Sequence, residues 1–208
     1  MSNLASSPTV TGSYSNYWYS SLQSETVKRQ PALIVPGLNN SDETHWQSLW
    51  HKELDGSQRI QLANWHLADL DKWRRAIKKS LAQFDQPVVV IGHSFGALAA
   101  ATVAAELPEK IAGLFLVAPA DPDKFGVSEV LPQRPVKIPG VLISSDNDPW
   151  IKDSQAAYLA LLWGIDFLRV KDLGHINSHS EIGIWPEGLR QYERLVERVT
   201  STRSSSYL

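Results

Sequence analysis

Val88-Val89-Val90-Ile91-Gly92-His93-Ser94-Phe95-Gly96-Ala97-Leu98-Ala99-Ala100-Ala101 carries three signals in one short segment. Four β-branched residues in a row suit a strand covered on both faces. The Ala-rich run that follows is a strong helix former. Between them lies G-x-S-x-G, in the strand–turn–helix setting that a nucleophile elbow requires. A hydroxyl presented at the carboxyl end of a central strand must sit on a tight, strained turn, and flanking glycines remove the side chains that would collide there. The helix that starts at once afterwards points its amide groups and the positive end of its dipole at that hydroxyl. Ser94 is therefore the candidate nucleophile. The pentapeptide alone is common, and the reading rests on its flanks.

Outward from this segment, short apolar runs alternate with amphipathic stretches, the pattern of βα units on a parallel sheet. Strands are expected at residues 32–35, 58–62, 88–91, 113–117, 140–144 and 166–170. Leu70, Trp73, Ile77, Leu81 and Phe84 recur every three or four residues and predict a helix over 69–84 with one apolar face. Helices are likewise expected over 42–54 and 154–163, and from Pro186, a helix first-turn residue, towards residue 199. The fold class is α/β: a six-stranded, mostly parallel sheet with helices on both faces. Residues 119–139 hold five prolines and no clear period, so they are expected to form a loop or short irregular cap, with no separate lid domain.

A serine hydroxyl needs a base, and the base needs an orienting acid. In an elbow-type hydrolase they follow in the order Ser, Asp or Glu, His. The fifth expected strand runs into Asp146-Asn147-Asp148-Pro149-Trp150, and the sixth into Leu173-Gly174-His175-Ile176-Asn177. Both segments lie beyond strand carboxyl ends, where an open α/β sheet builds its site. Asp146 competes with Asp148 for the acid role; Asp148, deeper in the turn, is preferred. His179 competes with His175, which follows its strand directly. The pair His175 and His179 with Glu181 also has metal-ligand spacing, but that requires a helix, and Asn177, Ser178 and Gly183 argue against one. No metal and no cofactor are expected. The oxyanion donors are expected to be the N–H of Phe95 and that of Leu38, in the Pro36-Gly37-Leu38 turn after the first strand. Phe125, Trp150 and Ile176 are candidate apolar walls for a substrate.

Composition narrows the functions. The 208 residues suit one domain, and a formal net charge of -2 gives no basic excess for nucleic acid or an anionic membrane. The absence of cysteine excludes a thiol nucleophile, a disulfide framework and an iron–sulfur site. Residues 1–29 are rich in Ser, Thr, Asn and Tyr and lack the basic start and apolar run of a secretory signal, so they read as a loosely ordered polar arm ahead of a domain over 30–208. A cytoplasmic location is expected. Of eight tryptophans, Trp46, Trp50 and Trp73 fall on apolar helix faces, whereas Trp150 and Trp185 lie where they could touch substrate or brace the site loops.

Several motifs in order resemble the small α/β-hydrolases of the retinoblastoma-binding protein nine type. These are Val35-Pro36-Gly37 with Trp46, Asn64-Trp65 with Trp73, Gly92-His93-Ser94-Phe95-Gly96, Ser145-Asp146-Asn147-Asp148-Pro149, and Gly174-His175-Ile176-Asn177 leading to Trp185-Pro186 and Gly188. The resemblance covers residues from about 31 to 199 and leaves the polar arm without a counterpart. It implies a compact α/β-hydrolase fold without leading antiparallel strands, and a triad of Ser94, Asp148 and His175. The implied activity is a serine hydrolase for small esters or amides, of carboxylesterase type. Aminopeptidase, amidase, thioesterase or perhydrolase chemistry at the same residues stands as the alternative, as does a protein-binding module that keeps the fold. Resemblance speaks to reaction class far more than to substrate.

Overall fold

The structure is a computed structural model; it describes Val27 and residues 30–205, with side chains as far as residue 201. Residues 1–29, expected to form a polar arm, thus lie outside the described residues apart from Val27, which is buried. Among the described residues, six strands form one sheet: β1 (Ala32–Val35), β2 (Gln58–Arg59), β3 (Val88–His93), β4 (Ile111–Val117), β5 (Gly140–Ser145) and β6 (Asp166–Val170). The order is β2-β1-β3-β4-β5-β6, and every pairing is parallel. Parallel neighbours require crossovers; helices α1 (Trp46–Glu53), α2 (Leu70–Leu81), α3 (Phe95–Glu106) and α4 (Asp153–Trp163) supply four of the five, irregular chain joins β4 to β5, and α5 (Pro186–Ser205) follows the last strand.

The period of two along each strand divides the core. Leu33, Val90, Leu116 and Leu142 face one way, towards Trp73 and Ile77 of α2, the Ala-rich α3 and Trp163 of α4. Ile34, Ile91, Phe115 and Ile143 face the other way, towards Trp46 and Trp50 of α1 and Leu189, Tyr192 and Val196 of α5. Each such fully buried apolar side chain contributes about 1.5–3 kcal/mol. β3 and β4 are covered on both faces, which explains their unbroken apolar sequence.

Several bounds differ from expectation: β3 and β4 are each two residues longer, and α2 stops at Leu81, short of 84. β2 stops at Arg59; Ile60 still pairs through its N–H to the Ile34 carbonyl, after which the chain leaves the sheet edge. α1 begins at Trp46 because Asp42 Oδ1 takes the N–H groups of Thr44 and His45, holding residues 42–45 in a turn. α5 runs on to Ser205. Residues 119–139 form irregular chain with one 3₁₀ turn, Ser128–Val130, and no separate lid. Among the described residues, no helix is long and apolar enough to cross a membrane.

Candidate active site

Ser94 stands between β3 and α3 with φ 54° and ψ -124°, a conformation that costs a non-glycine residue on the order of 1–3 kcal/mol. The chain is closely packed on both sides of it. A Cβ on Gly92 would lie 2.9 Å from Ala97 Cα, and one on Gly96 would lie 2.3 Å from the Val35 carbonyl oxygen. The turn is fastened by the Ser94 N–H to the Val117 carbonyl at 3.1 Å and the Ala97 N–H to the Ser94 carbonyl at 3.0 Å.

The loops after β5 and β6 converge on this hydroxyl. His175 Nε2 is 2.9 Å from Ser94 Oγ, and His175 Nδ1 is 2.8 Å from Asp148 Oδ2. A carboxylate only accepts, so Nδ1 carries the proton and Nε2 is free to accept from the serine. The Asp148 side chain is fully buried and also takes the Trp150 N–H at 2.8 Å. Asp146 points elsewhere, accepting the Asp172 N–H at 2.9 Å. His179 is exposed on the 3₁₀ turn Ser178–Ser180 and lines the cavity rather than touching Ser94. Ser94, Asp148 and His175 are thus brought together; Asp146 and His179 are not.

The loop after β1 closes the other side. Gly37 abuts the elbow, and Asn39 and Asn40 both take the left-handed conformation at φ 64°. Three anchors fix this loop. Trp73 Nε1 donates to the Pro36 carbonyl at 2.8 Å, Arg59 donates to Asn40 Oδ1 and to the Ser41 carbonyl, and the buried Gln47 amide donates to the Val35 and Ile91 carbonyls. The N–H groups of Leu38 and Phe95 are bonded to no acceptor among the described residues, so both are available to a developing oxyanion.

Ser94 and His175 open into a cavity of about 530 Å³, with Leu38, Phe125 and Trp150 among its walls. Ile176, expected as a wall, is not one. It is fully buried in the core beside α1 and α5, and its carbonyl accepts from Trp46 Nε1 at 2.9 Å. Its left-handed backbone, φ 48°, turns the side chain inward. Trp185 is buried in the same cluster, 5.3 Å from the Trp46 ring, and so stands behind the base loop without touching the cavity. Trp150 is 57 % exposed and its ring stands edge-on to His175.

Two histidines the sequence reading left out lie against the site. His93, the variable residue before Ser94, donates Nε2–H to the His175 carbonyl at 2.9 Å, and its ring packs between those of His175 and His45. His45 caps α1, accepting the Gln47 N–H on Nδ1. Burial pushes His45 down to about 3 and His93 well below its usual range, so both are neutral where His175 would work. Asp42, also on the cavity wall, is held down at about 2 by hydrogen bonds from Ser178 and Thr44. The signal for His93 was its place inside the elbow motif. For His45 there was little, because caps are normally Ser, Thr, Asp or Asn. No cluster of three or more metal-ligating side chains occurs among the described residues.

Comparison with known proteins bears on the family and the fold. A protein-family model described as serine hydrolase matches residues 32–194. A putative YdeN-like hydrolase from Pectobacterium atrosepticum is similar at 40% identity and TM-score 0.80, over 83% of this chain and 94% of its own. The ydeN gene product of B. subtilis is 17% identical, with TM-score 0.66 over 81% of this chain and 99% of its own. Est1E of Butyrivibrio proteoclasticus, solved with ferulic acid bound, is 14% identical with TM-score 0.61 over 79% and 88%, a likeness of fold alone. No curated protein matches the chain.

Proposed function

Since the chain belongs to the serine hydrolase family, we propose that it hydrolyses small ester or amide substrates through an acyl-enzyme, with Ser94 as nucleophile, His175 as general base and Asp148 as orienting acid. What carries the reading is the unbroken hydrogen-bond chain from Ser94 Oγ through His175 to Asp148, on the wall of a cavity of about 530 Å³. Ser94 Oγ attacks the carbonyl carbon while His175 Nε2 takes its proton. The oxyanion accepts from the N–H groups of Phe95 and Leu38, and the buried Asp148 carboxylate stabilises the imidazolium. Collapse expels the alcohol or amine with the proton from His175. Water, deprotonated by His175, then releases the acid and restores Ser94. Leu38, Phe125 and Trp150 give an uncharged acyl or alcohol group an apolar surface, beside the charged Asp42, Asp121 and Lys124, and carboxylesters are the substrates we place first. The motif order also supports a subtype, the small hydrolases of the retinoblastoma-binding protein nine kind.

A fluorophosphonate probe tests the nucleophile: the wild-type chain should be labelled and Ser94→Ala should not, and equal labelling of the two overturns the reading. A panel of esters, thioesters and amides graded by acyl length then ranks substrates. In the same assay His175→Ala should lose turnover while His179→Ala keeps it; the reverse result removes His175 from the base role.

A further inference from the structure

We propose that Asn147 is a positioning residue for His175, one rung of a clamp by which the loop bearing Asp148 grips the loop bearing His175; the inference rests on the Ser94 reading above. Four consecutive side chains, Ser145 at the end of β5 and the first three of the loop after it, each accept a hydrogen bond from the second loop. Asp146 Oδ1 takes the Asp172 N–H at 2.9 Å, Ser145 Oγ the Leu173 N–H at 2.9 Å, and Asn147 Oδ1 the Gly174 N–H at 2.7 Å. The fourth is the Asp148 contact with His175 Nδ1. Ser145 Oγ–H also donates to Asn147 Oδ1 at 2.8 Å, joining two rungs. Three rungs hold backbone; the last holds the imidazole.

The gripped loop needs holding. Asp172, Gly174 and Ile176 are all left-handed, with φ 55°, 53° and 48°, and two of them are not glycine. Such residues persist only where their surroundings over-determine them. A backbone that alternates in this way can turn successive N–H groups to one side, making a nest that favours negatively polarised acceptors. Here the N–H groups of residues 172, 173 and 174 are filled by oxygens of 146, 145 and 147. The Asn147 bond is the last backbone tie before the imidazole. On the far side of His175, its carbonyl is held by His93 Nε2–H. The histidine is thus fixed before and after its Cα, and Asn147 supplies the first of those fixings. Without it, Gly174 can relax and the Nε2 that faces Ser94 moves with it.

The test uses Asn147→Ala and Asn147→Asp in the full chain, with Ser94→Ala alongside, on p-nitrophenyl acetate. Asn147→Ala is expected to lower kcat about tenfold or more and to leave KM within about twofold, as loss of alignment in the transition state does. Asn147→Asp keeps the acceptor and close to the same shape, so kcat should return to within about threefold of wild type. Its added carboxylate should also move the acid limb of the kcat–pH profile upward, because a nearby negative charge favours the imidazolium. Unchanged kcat in Asn147→Ala overturns the clamp, as does a loss that Asn147→Asp does not restore. A fall in melting temperature with kcat and the acid limb unmoved also overturns it, since only a structural role remains. Full turnover by Ser94→Ala defeats the underlying reading instead, so the two failures are told apart.

Discussion

Gly37 defines how little room exists beside the nucleophile. A Cβ at this position would stand 2.7 Å from Ser94 Cβ and 3.0 Å from the His93 carbonyl oxygen, both backbone-fixed points of the elbow. Gly37→Ala must therefore push the loop after β1 away from Ser94, carrying the Leu38 N–H with it. We expect kcat/KM to fall by about 100-fold, the scale of an ångström-sized misplacement, with an unchanged circular dichroism spectrum. Activity within a few-fold of wild type would show that this loop does not need to lie against the elbow. The same scale explains which residues were legible in the sequence. Ser94, Asp148 and His175 each follow a strand at a recognisable turn, so type and place could be read together. Ile176 could not be read correctly because its direction is set by a left-handed backbone that isoleucine does nothing to signal. The contact that makes His93 matter runs to a residue 82 positions away, which no local pattern contains.

At the scale of elements, long amphipathic stretches were the most legible. α2 follows its apolar period closely, and its Trp73 does two things at once. The ring fills the core against Phe95, while Nε1–H donates to the Pro36 carbonyl in the loop beside Ser94. Trp50 on α1 makes a comparable bond to the Ile184 carbonyl, in a loop outside the cavity walls. Trp73→Phe leaves the buried Pro36 carbonyl unpaired, which costs about 1–3 kcal/mol, and Trp50→Phe leaves the part-buried Ile184 carbonyl unpaired, so both should lower the urea midpoint. Only Trp73→Phe should also lower kcat; an equal fall in both variants would break the link between α2 and the oxyanion loop. Short elements were poorly legible for the opposite reason. β2 is two residues at a sheet edge, where pairing with β1 alone sets its length. The start of α1 is fixed by hydrogen bonds to Asp42 rather than by its apolar period.

For the whole molecule, the two buried histidines tie global stability to pH. His45 and His93 are folded in as neutral rings, lowered first by burial and further by the neighbouring histidines or Arg59, with Asp42 opposing in part at His45. In the unfolded chain both return to about 6.5. Below that value the unfolded state binds protons that the native state refuses, so stability is full above pH 6.5 and declines as pH falls towards the folded value of about 3 for His45. Asp42 contributes in the same direction but in a lower window, from its usual 3.8 down to about 2. The two sources are therefore separable. The urea midpoint of the wild-type chain should drop steadily between about pH 6.5 and pH 4. His45→Asn, which cannot titrate, should flatten part of that drop, whereas Asp42→Asn should leave its slope intact and change only the region below about pH 4. A midpoint constant from neutrality to pH 5 in the wild type would mean that neither histidine is held neutral by the fold. The pair would then be free to carry charge beside His175, and the electrostatic setting of the site would be a different one.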